Sequence, residues 1–339
     1  MATVLVTGGT GFIGAYVAAD LVDHGHDVVA FDLSTDETRL AKLGVADDVD
    51  VVRGDVTDPT AVVRTVRETG ATRVVHLAAL LTDAAEANPR AALDVNCGGT
   101  NNVFEAARAL PDQIERVAWA SSAAVYAPPE HYSAGGGDGE ADGQPVVDEP
   151  VGDGTAWVTE DDLVYPDTLY GATKEYNEHQ ARVYAEEFGV SHVGLRPTVA
   201  YGPYRETGGS AFLVDLVEKP AVGESFAVEY GDQVIDWQYV RDIAQAFRKA
   251  AFADESALSQ RIYNVRGECA TIREAADAVR SVVPGADISV SDEGDLPWTQ
   301  TLDITPARED LGYEPEYGLE AGISEYVSVL REERGLDPV

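Results

Sequence analysis

An apolar run that ends in a cluster of glycines and continues as a helix pattern is the feature that most constrains how this chain folds. Residues 4–6 lead into Gly8, Gly11 and Gly14, and apolar residues then recur at helical spacing as far as Leu21. This order predicts a buried parallel strand, a tight turn and a helix that packs back on the sheet. Such a turn needs backbone angles that side chains forbid, and it lets a pyrophosphate touch bare backbone at a helix N-terminus. The three glycines therefore predict a dinucleotide site.

Two acidic residues beyond the turn bear on which dinucleotide binds. Asp32 ends the second predicted strand, 18 residues after the last glycine of the turn. A carboxylate there accepts hydrogen bonds from both hydroxyls of an adenosine ribose and repels a 2′-phosphate, which favours NAD over NADP. A plain loop aspartate is the structural alternative, and Arg39 leaves NADP open. Asp55, followed by Val56, is placed to meet the adenine edge; its alternative role is to cap a helix that starts near Pro59.

Composition limits the class of protein. The chain has 339 residues, 45% of them hydrophobic, enough for a large core in one domain or two interleaved ones. Its net charge is −36, from 60 acidic against 24 basic residues. An acidic partner-binding protein is one interpretation. Because the charge is spread along the whole chain, we favour a solvated surface suited to a halophile's cytoplasm, where salt screens the repulsion. The charge argues against nucleic-acid and anionic-membrane partners.

The cysteine content and the start of the chain point to a cytoplasmic protein. Cys97 and Cys269 are too few for a disulfide framework or a thiolate metal site, so we expect two small buried residues and no metal. The first predicted strand begins at residue 3, which leaves no room for a signal peptide. No apolar run approaches the length of a membrane span.

Strand-like runs alternate with helix-like segments through the first 200 residues, which predicts a parallel sheet with helices on both faces. The predicted strands span 3–7, 27–32, 49–53, 73–77, 116–121 and 191–196. The predicted helices span 12–24, 58–69, 88–109 and 168–189. Later elements are shorter: a helix at 209–219, strands near 225–237, a helix at 239–252, a strand at 261–265, and helices at 271–283 and 318–333.

Tyr170 and Lys174 stand four residues apart and so share one face of a predicted helix. A tyrosine has a free pKa near ~10 and is a poor base at neutral pH. A lysine ammonium one turn away stabilises the phenolate and lowers that pKa. The tyrosine can then take a proton from a secondary alcohol while hydride leaves for a nicotinamide. The lysine can also bind the nicotinamide ribose. A Tyr–Lys pair alone, however, is common on surface helices.

Ser122 supplies the context that the pair needs. It follows the strand predicted at 116–121 and so lies at the C-terminal edge of the sheet, where open α/β sheets bind ligands. A hydroxyl there can hydrogen-bond the substrate oxygen beside the tyrosine. Ser121 is the competing choice, and it suits a structural role better.

These residues resemble the extended short-chain dehydrogenase/reductases, also called the NAD-dependent epimerase/dehydratase family. The resemblance covers nearly the whole chain, and its motifs together are highly specific. They are Thr-Gly-Gly-Thr-Gly-Phe-Ile-Gly at 7–14, His-Leu-Ala-Ala at 76–79, Asn-Cys-Gly-Gly-Thr-Asn-Asn at 96–102, Ser-Ser-Ala-Ala-Val-Tyr at 121–126, Tyr and Lys at 170 and 174, Leu-Arg-Pro at 195–197, Tyr-Gly-Pro at 201–203 and Leu-Gly-Tyr at 311–313.

By this resemblance Ser122, Tyr170 and Lys174 form a catalytic triad that works with NAD. The expected cofactor contacts are Gly8, Gly11, Phe12, Ile13, Gly14, Asp32, Asp55, Val56, Leu77, Ala78, Ala79, Asn96, Tyr170, Lys174 and Pro197. The candidate substrate contacts are Leu80, Ser122, Ala123, Val199, Arg205 and Trp237.

Three of these residues have roles that the resemblance makes specific. Ala78 would lie against the cofactor backbone, Asn96 would help hold the helix that carries the site, and Pro197 would flank the nicotinamide. The resemblance also implies a homodimer that forms through the helices at 88–109 and 168–189.

The expected fold is a doubly wound parallel Rossmann sheet with a smaller C-terminal α/β region. We predict an NAD-binding domain over 1–196, to which 239–265 returns, and a substrate-binding region over 197–238 and 266–339. Residues 127–157 are an acidic, glycine-rich insertion with little apolar periodicity. The insertion ends just before Thr-Glu-Asp-Asp at 159–162, which the family usually carries ahead of the tyrosine. It is therefore either a solvated loop or a flexible lid over the site.

Two departures from the family pattern weaken a nucleotide-sugar interpretation. Nucleotide-sugar epimerases usually carry an Asn where this chain has Val199, and an Arg that neutralises the diphosphate where it has Ile235. A lost charge-assisted hydrogen bond costs ~1.5–3 kcal/mol. Arg205 or Arg241 could compensate. Family members that act on hydroxy acids, amino alcohols or free sugars also lack those contacts.

The remaining candidates for the substrate site are less specific. Trp237 and Tyr239 either line a compact pocket or are ordinary core aromatics. Ser210 and Arg205 belong to the loop near 204–210 and are possible contacts.

The sequence therefore predicts an NAD-dependent enzyme that removes hydride from a secondary alcohol. A dehydrogenase of a small sugar, polyol or hydroxy acid is the first choice, and a sugar or UDP-sugar epimerase with tightly bound NAD is the alternative. A dehydratase is disfavoured because Ala123 and Ala124 replace its usual Asp-Glu pair. A non-catalytic NAD-binding regulator is the last class, and the intact triad argues against it.

Overall fold

A parallel sheet with helices on both faces forms the larger part of the molecule. The structure, a computed structural model, describes residues 1–128, 157–208, 210, 212–298 and 301–337. Within these ranges the sheet has seven strands: β1 (Thr3–Thr7), β2 (Asp27–Asp32), β3 (Val49–Arg53), β4 (Arg73–His76), β5 (Arg116–Ala120), β6 (His192–Pro197) and β10 (Ile262–Val265). Their order is β10-β6-β5-β4-β1-β2-β3.

The sheet forms because its strands are apolar runs that helices cover on both faces. Val4, Leu5 and Val6 are fully buried, as expected for a strand at the centre of a parallel sheet. The strand order runs outward in opposite directions from β1 and β4, so their C-terminal ends border a crevice of the kind that holds ligands in such folds. The predicted fold class is confirmed, and each of these strands lies within one residue of its predicted bounds.

The helices of the described residues fall into two layers and a second, smaller region. They are α1 (Phe12–Asp23), α2 (Thr38–Lys42), α3 (Pro59–Thr69), α4 (Thr82–Ala87), α5 (Pro89–Ala92), α6 (Thr100–Ala109), α7 (Leu169–Phe188), α8 (Phe212–Ala221), α9 (Val240–Phe252), α10 (Ile272–Val282), α11 (Thr305–Leu311) and α12 (Leu319–Glu333). Helices α1 and α9 share one core with the sheet, and α3, α6 and α7 share the core on its other face.

The chain predicted as one helix over 88–109 is helical from residue 89 to 109, but it is not α-helical throughout. Helices α5 and α6 are joined by a π-helical segment, Leu93–Gly99, which makes a wider turn. Gly99 lies so close to the loop after β3 that a Cβ atom there would be 2.7 Å from a methyl of Val56. The wide turn thus brings helix backbone against this loop, and glycine makes the approach possible.

The chain after β6 builds a second region around its own core. Strands β7 (Val199–Tyr201), β9 (Val234–Tyr239) and β11 (Glu268–Thr271) pair in the order β11-β9-β7, and β8 (Phe226–Val228) pairs with β12 (Ile288–Val290). Helices α8, α10 and α12 cover these strands. By contrast, α9 packs on α1 and β10 pairs with β6, so this part of the chain returns to the large sheet.

The agreement with the sequence prediction is uneven in the second region. Helices α9, α10 and α12 lie within one residue of their predicted bounds, whereas α8 begins three residues later than predicted. The strands predicted near 225–237 are β8 and β9, and β9 ends two residues beyond the predicted segment. The short elements β7, β11, β12 and α11 of this region, like α2 and α4 of the first domain, were not predicted, because three to seven residues carry too little periodicity to identify.

Three further points concern the insertion, membrane-spanning helices and the two cysteines. Most of the insertion predicted at 127–157 lies outside the described residues, so the lid interpretation stays a prediction. None of the described helices is long and apolar enough to cross a membrane. Cys97 is a buried free thiol and Cys269 is a partly buried one.

Candidate active site

The glycine turn after β1 is packed backbone against backbone. Gly8 has φ +71°, and a Cβ atom there would lie 2.9 Å from the backbone nitrogen of Ala78, in the loop after β4. At Gly14 a Cβ atom would lie 2.0 Å from the carbonyl oxygen of Gly8. Gly11 begins α1 without a side-chain cap, so the first N–H groups of the helix are available to an anion. This cradle fits the pyrophosphate of a dinucleotide.

The predicted cofactor contacts of the first domain lie at or after the C-terminal ends of β1, β2, β3 and β4, which are neighbours in the sheet. Those that are partly buried, and so present some surface, are Gly8, Gly11, Phe12, Ile13, Asp32, Asp55, Leu77, Ala78 and Ala79; Leu80, a candidate substrate contact, is partly buried too.

Asp32 lies at the C-terminal end of β2 and is held there by backbone. Its carboxylate accepts hydrogen bonds from the N–H groups of Thr10 at 3.1 Å and Ser34 at 3.2 Å. Arg39, which had left NADP open, is bound within the chain: it forms a 2.9 Å ion pair with Glu206 and donates to the carbonyl of Thr10 at 3.5 Å. Its charge is thus already neutralised.

The alternative role of Asp55 as a helix cap is wrong. Helix α3 begins at Pro59, and Asp58 caps it by accepting a 2.9 Å hydrogen bond from the N–H of Thr60. Asp55 instead accepts from the N–H of Thr57 at 2.8 Å, which stabilises the turn after β3. Asp55 therefore remains a candidate for the adenine edge, next to the buried Val56.

Asn96, inside the π-helical segment, ties the loop after β4 to helix α7. Its side-chain oxygen accepts from the N–H of Leu80 at 2.8 Å, and its Nδ2 donates to the carbonyl of Leu80 at 3.0 Å. The same Nδ2 donates to the hydroxyl of Thr173 at 3.1 Å. Thr173 lies between Tyr170 and Lys174 on α7. Asn96 therefore fixes the loop after β4, which we call the cofactor loop, relative to α7, which we call the catalytic helix.

His76 is a supporting residue to which the sequence analysis gave no role. Its Nδ1 lies 2.7 Å from the hydroxyl of Thr7 and its Nε2 lies 2.9 Å from that of Thr100. Because Thr100 donates its hydrogen to the carbonyl of Asn96 at 2.6 Å, the network assigns the ring hydrogen to Nε2. Burial lowers the pKa of His76 to about 3. The ring is therefore neutral, and it connects β1 with the π-helical segment.

The three proposed catalytic residues meet where β5 ends. The Ser122 side chain is near enough to the Tyr170 hydroxyl to favour its ionised form. Lys174 donates from Nζ to the carbonyl of Ala120 at 2.6 Å, and its Nζ lies 5.5 Å from the centre of the Tyr170 ring. A Cβ atom at Gly171 would lie 2.1 Å from the carbonyl of Ala124, so α7 is seated closely on the turn that carries Ser122.

Burial controls the acidity of this group. It raises the pKa of Tyr170 to about 12, against the opposing effect of the nearby Ser122 hydroxyl, and it lowers the pKa of Lys174 to about 8. The expectation that Lys174 lowers the pKa of Tyr170 is therefore not met by the residues of the chain alone. Desolvation of the phenolate is the dominant influence, and it outweighs the opposing effect of the Ser122 hydroxyl.

Ser121 has the structural role that was expected of it. It is buried, and its hydroxyl donates to Glu178 at 2.6 Å. Arg196 donates to both carboxylate oxygens of Glu178, at 2.8 and 2.7 Å. This paired arrangement joins the ends of β5 and β6 to α7, which leaves Ser122 as the hydroxyl that faces Tyr170.

On the substrate side, Trp237 is a core residue, which corrects its place among the substrate contacts. It is 2% exposed, packs edge-on to Tyr201 with ring centres 5.8 Å apart, and donates from Nε1 to the carbonyl of Ala270 at 3.0 Å. Ile235 is fully buried in the same core. Val199, whose strand β7 pairs with β9 opposite Trp237, is partly buried, as is Pro197 at the end of β6.

The loop after β7 brings Arg205 towards the cofactor loop. Arg205 donates to the carbonyl of Ala200 and, at 2.7 Å, to the hydroxyl of Ser210. A Cβ atom at Gly208 would lie 3.0 Å from Nη2 of Arg205 and 3.4 Å from a methyl of Leu81. Ala123, on the opposite side, stands next to Ser122 and is partly buried.

Comparison with known proteins identifies the family. Residues 4–265 match the profile of the "NAD dependent epimerase/dehydratase family", so the chain belongs to this family and is an NAD-dependent enzyme. It is 28% identical to the UDP-glucose 4-epimerase of Corynebacterium glutamicum, over 92% of this chain and 91% of that protein.

Two solved structures are similar over nearly their full length. The UDP-glucose 4-epimerase of Thermus thermophilus in complex with NAD superposes with a TM-score of 0.75 at 28% identity, over 97% of this chain and 99% of that one. The L-threonine dehydrogenase of Phytophthora infestans superposes with a TM-score of 0.77 at 25% identity, over 98% and 100%. Both an epimerase and a dehydrogenase thus share this architecture.

Proposed function

We propose that this enzyme is a dehydrogenase that oxidises a secondary alcohol of a small sugar, polyol or hydroxy acid. The observation that carries the proposal is the group formed by Ser122, Tyr170 and Lys174 beside the uncapped start of α1. Bound NAD supplies a nicotinamide that accepts the hydride and adds positive charge near Tyr170. We assign the NAD site to residues 1–196 with 239–265, and the substrate site to residues 197–238 and 266–339.

Each catalytic residue has a separate task in this proposal. Ser122 donates a hydrogen bond that orients the substrate oxygen, and Tyr170 takes the proton of the alcohol. Lys174 is anchored on the carbonyl of Ala120 by one of its three N–H groups, so its charge stays near Tyr170, and its other N–H groups would be available to hold the cofactor ribose. Below about pH 8 this lysine is charged and stabilises the phenolate as it forms.

The cations of the second region support a substrate without a nucleotide diphosphate. Arg266 donates to the carbonyls of Leu302 and Gly267, both at 2.7 Å. Arg273 is paired with Asp232 and Asp292. Arg266 and Arg273 are thus each held by oxygens of the chain, and the position where a diphosphate-binding arginine was expected holds the buried Ile235.

A sugar or UDP-sugar epimerase is the second candidate, and the sequence relatives favour it. The curated relatives reported above act, by their names, on UDP-sugars, and the same three residues would serve an epimerase. The difference is whether the ketone leaves or is reduced again in place. This choice depends on how tightly cofactor and ketone are held.

Release of NADH separates the two candidates. The enzyme is purified in high salt, its bound nucleotide is measured after denaturation, and free sugars, polyols, hydroxy acids and UDP-sugars are each supplied with NAD. A dehydrogenase forms NADH in proportion to ketone. Tightly retained NAD, with conversion of a UDP-sugar and no net NADH, would establish the epimerase instead.

We further propose that the enzyme is a cytoplasmic homodimer from a halophile. Four side chains on or beside α7 support the dimer because they are large, apolar and about half exposed: Leu93, Tyr176, Val183 and Phe188. The net charge of −36 supports a high-salt environment. Light scattering in molar KCl tests the assembly, and replacement of Val183 by Glu should shift it to monomers.

A further inference from the structure

Arg205 is a largely buried arginine that has no acidic partner among the described residues. Its side chain donates to the carbonyl of Ala200, the hydroxyl of Ser210 and, weakly, the carbonyl of Thr207, which are all neutral groups. In the part of the chain that the structure describes, no carboxylate oxygen lies within 4.0 Å of its nitrogens. The neighbouring Glu206 faces away and pairs with Arg39.

Among the described residues, Arg205 shares this lack of an acidic partner with Arg266, whose hydrogen bonds go to carbonyls, but differs in it from the majority of the arginines. Acidic residues outnumber basic ones by 60 to 24, so most arginines have a carboxylate close by. Three buried or partly buried examples are Arg116 with Glu255, Arg196 with Glu178 and Arg248 with Asp20. A guanidinium that is desolvated without such a partner costs stability. Desolvation is strong enough to lower the pKa of Arg205 to about 10, at which it is still charged at neutral pH.

The position of Arg205 connects it with the catalytic cleft. Its anchor, Ala200, follows Pro197 by three residues on the segment that leaves β6. On its other side, a Cβ atom at Gly208 would lie 3.0 Å from Nη2 of Arg205 and 3.4 Å from a methyl of Leu81, so both side chains approach the same glycine. Leu81 directly follows Leu80, which Asn96 ties to the catalytic helix. Arg205 thus lies between the two chain segments that border the predicted substrate site.

The hydrogen bonds of Arg205 leave a definite donor pattern. A guanidinium carries five N–H groups, and the three bonds use Nε and one N–H on each terminal nitrogen. One N–H remains on Nη1 and one on Nη2. A carboxylate accepts two such parallel N–H groups in a fork, which is the geometry that arginine recognises best.

We propose that Arg205 binds a carboxylate of the substrate, so that the substrate is a sugar acid or another hydroxy acid and not a neutral sugar. The inference rests on the proposed dehydrogenase function and narrows its substrate class. A nucleotide diphosphate carries more charge than one arginine balances, and Arg266 and Arg273 are already bound to oxygens of the chain. Because the rest of the surface carries a strong negative charge, it does not attract an anionic substrate. Arg205 is the group that binds the anion at the site.

Matched pairs of substrates test this assignment in the full-length, NAD-loaded enzyme. Glucuronate is compared with glucose, galacturonate with galactose, and a series of hydroxy acids with the corresponding diols, by kcat/KM for NADH formation. In the unmodified enzyme we expect the acid of the best pair to be preferred about 100-fold. Arg205→Gln should remove most of that preference, mainly through KM, while the neutral partner changes less than about threefold.

Two further variants separate recognition from folding. Arg205→Lys keeps the charge but loses the fork, so it should retain part of the preference for the acid. Arg273→Gln removes an exposed arginine that is already paired, and it should leave the preference unchanged. Thermal unfolding in high salt is recorded for every variant.

The outcomes are distinct. An equal loss for acid and neutral partners in Arg205→Gln, with a lower unfolding temperature, would mean that Arg205 only braces its loop. A preference of the unmodified enzyme for neutral sugars or UDP-sugars would also overturn the inference. Failure of all substrates to form NADH would instead refute the proposed dehydrogenase function on which it rests.

Discussion

The cofactor half and the substrate half of the site are built in different ways. Around the glycine turn, backbone touches backbone: Gly14 against Gly8, and Gly8 against the loop at Ala78. In the second region, side chains fill an apolar core around Trp237 and Ile235, and arginines are held by carbonyls. Backbone contact demands glycine and is therefore visible in a sequence. A core filled by side chains accepts many solutions, so the half that selects the substrate carries a weaker signal.

Loss of the Tyr170 hydroxyl should have the largest effect, because this hydroxyl is the one proton-transfer group of the proposed site. The change therefore tests whether the cofactor half and the substrate half both act through Tyr170. Tyr170→Phe should lower kcat about 1,000-fold, since general acid–base catalysis contributes that order of acceleration. NAD affinity should stay within about twofold, because the backbone cradle is untouched. Tyr176→Phe on the same helix is the control, as this side chain is 54% exposed. Turnover that survives in Tyr170→Phe would remove the catalytic assignment.

The backbone packing of the cofactor half is tested by Gly14→Ala. The added Cβ atom would lie 2.0 Å from the carbonyl of Gly8, so the turn and the start of α1 must move apart. A displacement near 1 Å should weaken NAD binding about 100-fold. In Gly98→Ala the nearest atom to the new Cβ is 3.8 Å away, which makes it the matched control. Equal NAD affinity in both variants, by calorimetry, would contradict the tight-cradle interpretation.

The sequence predicted most of the first half because its constraints are local. The strand–glycine–helix order and Asp32 at the end of β2 follow from neighbouring residues, and the structure has them as predicted. The π-helical segment was missed because its wide turn depends on Gly99 meeting Val56, which is distant in the sequence. The same limit applies to the pKa of Tyr170, which burial sets.

In the second half, the type of a residue did not reveal whether its side chain faces the core or the substrate pocket. Trp237 was a candidate for the pocket because aromatic residues suit both cores and ligand sites, and a three-stranded sheet turns it inward. The absence of an acidic partner near Arg205 within the described residues is likewise a property of the folded chain. In the sequence it is followed directly by Glu206, which instead pairs with Arg39.

Trp237→Phe tests whether the second half is core at this position. The smaller ring leaves a gap and the carbonyl of Ala270 loses its donor, so unfolding free energy should fall by about 2 kcal/mol. The kcat/KM should remain within about twofold, since a residue 2% exposed presents no surface to a substrate. Tyr239→Phe is the control on the same strand: its buried hydroxyl has no hydrogen-bond partner among the described residues, so its removal should not destabilise the protein. A raised KM with unchanged stability would mean that Trp237 lines the substrate pocket and is not a core residue.

The smallest expected effect lies at Glu160, which binds the edge strand of the cofactor half ahead of the catalytic helix. Its carboxyl accepts from the N–H of Asn264 on β10 at 2.7 Å, and burial raises its pKa to about 7 from an ordinary 4.5. The folded protein therefore holds this proton more tightly than the unfolded chain does. The stability that Glu160 provides is complete below pH 4.5 and is lost as the pH rises to about 7.

Glu160→Gln keeps an oxygen for Asn264 but does not titrate. Its unfolding free energy relative to the unmodified enzyme should increase between pH 4.5 and about 7, and then stay level. Because the side chain is partly exposed and Arg196 favours its charged form, we expect a gain of only about 1 kcal/mol. Denaturant midpoints of both proteins in the same molar salt measure the difference. A gap that is constant with pH, or that narrows above pH 4.5, would show that Glu160 is charged in the folded protein and that its segment is held by Arg196 instead.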